Sequence, residues 1–254
     1  MGQTLESRIM NHESRIKTSI SVIIIIGGKY DEELLKRCLE SVSWCEEVVK
    51  VETKNIKGGF AEWRNVGAKK AGGDWLLYVD TDEEITPKLK ERILQVTSSD
   101  EFSGYAIPRR NIFLGHEMRW GGWKPDFQLR LIMKDKLVGW YGELHEQPKI
   151  KGEICHLNEP LIHRSHRSLT EMVDKTNEWS EVEAKLLYDA HHPKMNFFRF
   201  ASAAFREFWY RGVMHLGFLD GKVGVIETIY QVYSRLITYA KLWELQIRNA
   251  GSNS

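Results

Sequence analysis

The chain of 254 residues is poor in cysteine. Its three, Cys38, Cys45 and Cys155, are too few and of the wrong parity for a disulfide framework, which fits a reducing compartment. Charge imbalance is also missing, because 36 Lys and Arg stand against 35 Asp and Glu. That balance supplies no bulk attraction to nucleic acid, so no nucleic-acid partner is expected and any anionic ligand must be met by local charge. No stretch of about 18 residues is free of charge, so no helix reads as membrane-spanning. Residues 1–17 are polar, lack the apolar centre of a signal peptide, and read as a flexible N-terminus. Internal repeats and low-complexity segments are absent. These absences point to a cytoplasmic protein. What is present, 42% hydrophobic and 28% charged residues, is the composition of a globular chain with a full core.

The run Ser19-Ile20-Ser21-Val22-Ile23-Ile24-Ile25-Ile26 reads as a strand buried on both faces, as in a parallel sheet. Residues 31–43 place Leu34, Leu35, Cys38, Leu39 and Val42 on one helical face. Residues 47–52 predict a second strand, and 60–71 a second helix closed by Gly72-Gly73. Residues 75–79 form a third buried strand that runs into Asp80. Thr86 then caps a helix with Pro87 in its first turn. Strand–helix alternation implies a doubly wound sheet, which binds ligands at the carboxyl ends of its strands. Over 101–167, short strands alternate with Gly- and Trp-rich loops. Ser168-Leu169-Thr170-Glu171 opens a long helix with a capping-box pattern, and two aromatic-rich helices follow near 195–211 and 222–247.

Asp80-Thr81-Asp82 is the first motif with chemistry. Two carboxylates at i and i+2 beyond a buried strand suit a hard cation, Mg²⁺ or Mn²⁺, which neutralises charge on a diphosphate leaving group. The same residues allow a rival reading in which Asp80 is the nucleophile of a haloacid-dehalogenase-type phosphatase. That motif expects Thr or Val where this chain has Glu84, and it sits on the first strand rather than the third. Arg64-Asn65 lies on the second helix, where arginine reaches a phosphate or a base edge. Trp123, in the loop Trp120-Gly121-Gly122-Trp123, suits stacking on a sugar face. Asp126 is placed to bond sugar hydroxyls or take a proton. His145-Glu146 supplies another carboxylate beyond a strand. His163, with Arg164 and Arg167 close in sequence, is a candidate metal or diphosphate contact. The spacing of Cys155, His156 and His163 matches no familiar zinc pattern.

In order and spacing, these pieces resemble the family 2 glycosyltransferases of the GT-A fold. The carriers are strand 19–26, Cys38-Leu39-Glu40-Ser41-Val42, Arg64-Asn65-x-Gly67, and Gly73-Asp74-Trp75 through Asp80-Thr81-Asp82-Glu83. Pro125-Asp126-Phe127-Gln128-Leu129-Arg130-Leu131, His145-Glu146, His163-Arg164-Ser165 and Gly217-Phe218-Leu219-Asp220-Gly221 are similar to the lipopolysaccharide-core β-1,4-glucosyltransferase-like branch.

The resemblance implies a Rossmann-like, mostly parallel α/β sheet sandwiched by helices, spanning 18–167. Its nucleotide-sugar half would be 18–100 and its acceptor half 101–167, with a helical extension over 168–249. It implies a nucleotide-sugar donor (UDP-sugar favoured), Mn²⁺ or Mg²⁺, a glycan or lipid-linked acceptor, and inversion at the anomeric carbon. Glu52, Arg64, Asn65, Asp80 and Thr81 would line the donor. Asp82, with Asp80 and His163, would hold the metal. Trp123, Gln128, Arg130 and His145 would meet the acceptor, with Glu146 as the base and Asp126 second. The turns at Gly27-Gly28 and Glu52-Thr53 depart from the family pattern, which keeps a non-catalytic nucleotide-sugar binding module as an alternative. Phe197, Phe198, Phe205 and Trp209, with Arg199, Arg206 and Arg211, fit two arrangements equally: a helix in peripheral contact with the inner face of the membrane, or one packed on the catalytic domain.

Overall fold

The computed structural model of the protein describes residues 18–28, 30–99, 101–142 and 146–251. The chain divides into two compact units. One comprises residues up to Pro108 together with Phe127–Leu161; the other comprises Arg109–Asp126 and Ile162 onward. The segment 109–126 therefore groups with the C-terminal helices, a division that differs from one drawn at residue 168.

In the first unit, β1 (Ile20–Ile26) pairs in parallel with both β2 (Glu47–Glu52) and β3 (Trp75–Tyr78). Its β-branched side chains alternate between two cores, which is why the run carries no polar face. Ile20, Val22 and Ile24 join Cys38 of helix α1 (Glu32–Ser41) and Val42 at its C-terminal cap. Ile23 and Ile25 join Val49, Val51, Leu76 and Tyr78 on the other side. Asp31 caps α1 by accepting from the N–H groups of Glu33 and Leu34, and Thr86 caps α3 (Pro87–Val96) by accepting from Leu89.

Helix α2 (Phe60–Lys70) lies so close to the sheet that a Cβ on its Gly67 would collide with Ile23. That approach fixes the height of Arg64, three residues earlier, against the strands.

After the short strand β4 (Glu83–Glu84), β5 (Gly104–Phe113) and β7 (Phe127–Met133) extend the sheet in the order β2-β1-β3-β7-β5, with β10 (Ile154–His156) beside β5. β7 runs antiparallel to both β3 and β5, so the sheet is parallel over β2, β1 and β3 and mixed beyond them. The hairpin β8 (Leu137–Tyr141) and β9 (Gln147–Ile150) forms a second small sheet. The α/β class expected from the sequence is the architecture observed.

The second unit holds residues 109–113 of β5, which pair with β6 (His116–Glu117), then most of β11 (Leu161–Arg164) and three helices. α4 (Leu169–Asp189) is capped by Ser168, whose hydroxyl accepts from the Glu171 N–H. α5 (Phe197–Phe208) is capped by Asn196 and continues into a wide π-helical turn, Trp209–Met214. α6 (Gly221–Gly251) packs against both α4 and α5. Among the described residues, no helix is long and apolar enough to cross a membrane.

Candidate functional site

The parallel strands deliver their carboxyl ends to one edge. There the fully buried β3 hands the chain to Asp80. Asp80 and Glu83 close a tight turn on each other. The Asp80 N–H donates to Glu83 Oε2 at 3.0 Å, and the Glu83 N–H donates to the Asp80 carbonyl at 3.0 Å. Glu83 is completely buried, so its charge needs a partner. Arg130 of β7, also buried, supplies it by donating to Glu83 Oε1 at 2.6 Å and to Asp80 Oδ2. Burial alone would push the Arg130 guanidinium down; Asp80 and Glu83 outweigh that and hold it raised.

The other oxygen of Asp80, Oδ1, accepts from Nη2 of Arg64 at 3.0 Å. Nε of the same guanidinium donates to Glu146 Oε1 at 3.1 Å. Arg64 is 4% exposed, and its guanidinium lies 4.7 Å from the Trp140 ring centre and 5.8 Å from that of Tyr78. Two aromatic faces thus enclose a cation that bridges two carboxylates. Asn65, expected at the donor, has its amide on the backbone of β8: Nδ2 donates to the Trp140 carbonyl at 3.0 Å and Oδ1 accepts from the Trp140 N–H at 2.8 Å. It braces the strand that walls Arg64. Arg130, expected at the acceptor, is instead buried beneath Asp80. A position on β7 with apolar neighbours gave no sequence signal for that.

Thr81 and Asp82 form the turn between Asp80 and Glu83, and both are half-exposed. Mg²⁺ and Mn²⁺ prefer hard oxygen ligands and commonly take one or two carboxylates, completing the shell with phosphate oxygens and water. Asp82 fits that role. Asp80, with both oxygens on guanidinium groups, instead positions the turn. Among the described residues, no cluster of three His, Cys, Asp or Glu side chains is arranged to cage a metal. The residues therefore fit an ion shared with a diphosphate rather than an ion held by protein alone.

Glu52 is exposed at the end of β2, and Gln128 is half-buried on β7. The two turns that depart from the family pattern meet each other, since a Cβ on Gly27 would collide with the Thr53 side chain. The glycine in one turn makes room for the threonine in the other. His145 lies outside the described residues.

The second unit carries its own polar chain. Asp126 Oδ2 accepts from Arg109 Nε at 2.8 Å and from Asn111 Nδ2 at 3.0 Å. Nδ1 of His163 donates to Asn111 Oδ1 at 2.6 Å, so the buried Asn111 links His163 to Asp126. The Trp123 ring packs edge to face on Phe113, and the Arg211 guanidinium lies 4.9 Å over it. In the same loop, Trp120 is the more exposed ring.

An α/β sheet with an acidic turn at the carboxyl end of a central strand places that turn where such sheets bind ligands. Residues 20–148 match the family model described as glycosyl transferase family 2, and the chain belongs to that family. It is similar to the lipopolysaccharide core biosynthesis glycosyltransferase LpsC of Rhizobium meliloti (strain 1021), with 24% identity over 196 residues, 66% of this chain and 71% of that one. It is also similar to an uncharacterized glycosyltransferase of Rickettsia bellii (strain RML369-C), with 23% identity over 256 residues, 94% of this chain and 85% of that one. Among solved structures, S. aureus TarS in complex with UDP-GlcNAc aligns with a TM-score of 0.41 and 13% identity over 91% of this chain and 92% of that one. The protein is a glycosyltransferase, and the phosphatase reading of Asp80 is set aside.

Proposed function

We propose that the protein transfers a sugar, with inversion, from a nucleotide-sugar to a hydroxyl of a cell-surface glycan assembled on a lipid. The UDP-sugars are the favoured donors. The observation that carries this reading is the double bridge of Arg64, which ties Asp80 beside the metal-binding turn to the carboxylate of Glu146. The kinship with a protein named for lipopolysaccharide core biosynthesis supports the acceptor class.

Asp82 would hold Mn²⁺ or Mg²⁺, and the ion would supply neutralisation of the charge that builds on the leaving group. Arg64 is placed to add a second positive charge at the same end of the donor. Arg130 and Glu83 keep Asp80 and its turn fixed, so little reorganisation is needed when charge develops. Glu146 takes the proton of the acceptor hydroxyl, whose oxygen attacks the anomeric carbon opposite the departing diphosphate. One displacement inverts the centre and needs no covalent intermediate. In the second unit, Asp126, held by Arg109 and Asn111, is suited to bonding sugar hydroxyls, and Trp123 to stacking on a sugar face. His163 fixes this set through Asn111.

Glu146→Gln keeps the shape and a hydrogen-bond acceptor for Arg64 but removes the base. Turnover is expected to fall about a hundredfold, with donor affinity held within a few-fold in calorimetry. Turnover close to wild type would transfer the proton-accepting role away from Glu146.

A further inference from the structure

α5 lies on α6 by one side only. Ala203 is buried, and Phe200 packs into the small core formed by Ala184, Met195 and Leu242. The opposite side is apolar and exposed: Phe197 and Phe198 are each 78% exposed, Phe205 is 62%, and Phe208 and Trp209 are about half-exposed. At 3.6 residues per turn these five rings fall within roughly a third of the helix circumference. A shallow groove lined by Ala204, Phe205 and Phe208 with Ile229 and Val232 of α6 continues the face. On this side of the helix the rings stand in solvent. Contiguous apolar surface of this kind marks an interaction site.

The exposed charges between residues 194 and 222 have one sign. Lys194, Arg199, Arg206 and Lys222 are exposed. The two acids between residues 194 and 222 are turned inward. Glu207 is paired with Arg211 at 2.6 Å, and Asp220 is 5% exposed and accepts from the N–H groups of Arg119 and Trp120. Arg199 and Arg206 are seven residues apart, which sets both on the same edge of the aromatic arc.

We infer that this face of α5 and the turn Trp209–Met214 docks in the plane of an anionic lipid bilayer. Rings with polar tips, Trp209 and Tyr210, suit the boundary between headgroups and chains, and the arginines suit anionic headgroups. A second copy of the chain fits less well, because a two-fold pairing would set the same cations against each other. Among the described residues no helix is long and apolar enough to span a membrane, and the inferred contact is a peripheral one. The inference extends the reading of a lipid-borne acceptor, and vesicle binding requires no turnover, so either reading can fail while the other stands.

The test is flotation of the full chain with vesicles of phosphatidylcholine alone and with vesicles in which about a third of the lipid is phosphatidylglycerol. Binding is expected to the anionic vesicles and to weaken in high salt. The pair Arg199→Gln with Arg206→Gln is expected to lower partitioning about thirtyfold. The pair Phe197→Ser with Phe198→Ser is expected to lower it at least tenfold, with the unfolding midpoint unchanged because both rings are already in solvent. Absence of binding to anionic vesicles overturns the inference. So does partitioning that neither pair of substitutions alters, or a dimer in solution that Phe197→Ser with Phe198→Ser dissolves while lipid binding persists.

Discussion

Asp82→Ala is expected to reduce metal-dependent turnover by about a thousandfold or more, while the unfolding midpoint stays close to wild type. The two halves of that expectation come from the same geometry. Asp82 is half-exposed in the turn, and the buried network runs through Asp80, Glu83, Arg64 and Arg130. Removing its carboxylate therefore leaves the ion pairs among Asp80, Glu83, Arg64 and Arg130 in place. On the proposed mechanism, what is lost is the protein ligand of an ion that would stabilise the leaving diphosphate by several kcal/mol, and each 1.4 kcal/mol or so is tenfold in rate. Turnover measured as release of nucleoside diphosphate, with Mn²⁺ or Mg²⁺ added, is the readout. Wild-type activity in Asp82→Ala would remove the acidic turn from the mechanism. A large drop in unfolding midpoint would reassign Asp82 to structure.

Arg130→Met is the substitution expected to damage the fold most. Glu83 is fully buried and Arg130 is 4% exposed, so the variant strands one buried carboxylate and leaves Asp80 with one guanidinium instead of two. Breaking a buried pair from one side costs about 3–5 kcal/mol, because the remaining charge stays out of water. Urea unfolding of Arg130→Met should show a loss of that size. Adding Glu83→Gln to it should recover part of the loss, since the stranded charge is then gone. A loss below about 1 kcal/mol would mean that water reaches Glu83 when its partner is absent.

Much of this arrangement is readable before any coordinates. The unbroken run 19–26 announces a two-sided strand, and β1 does alternate between two cores. The apolar stretch 75–79 announces that Asp80 stands at a strand end, and Thr86 and Ser168 cap the helices they are expected to open. The side chains that hold the site are harder to read, because they depend on register. β7 pairs antiparallel to β3 as Trp75 with Met133 and Leu77 with Leu131, which brings Arg130 level with the end of β3 and under Asp80. Read along its own strand, Arg130 is a cation among apolar residues that looks ready to meet a ligand.

Asn65 is similar. Its partner is the backbone of Trp140, 75 residues away, and no local pattern predicts an amide that substitutes for a strand neighbour. The altered turns at Gly27 and Thr53 look like two independent departures in sequence and are one packed contact in space. The aromatic face of α5 is visible in the sequence as a periodic stripe. Only its exposure separates a surface from a core.

The most direct test of the central claim is calorimetric titration of UDP-sugars into the protein with Mn²⁺ and again after chelation. The account predicts binding that needs the ion, is lost on chelation, and returns when Mn²⁺ is restored. Equal binding with and without the ion, or no UDP-sugar bound under either condition, would contradict it.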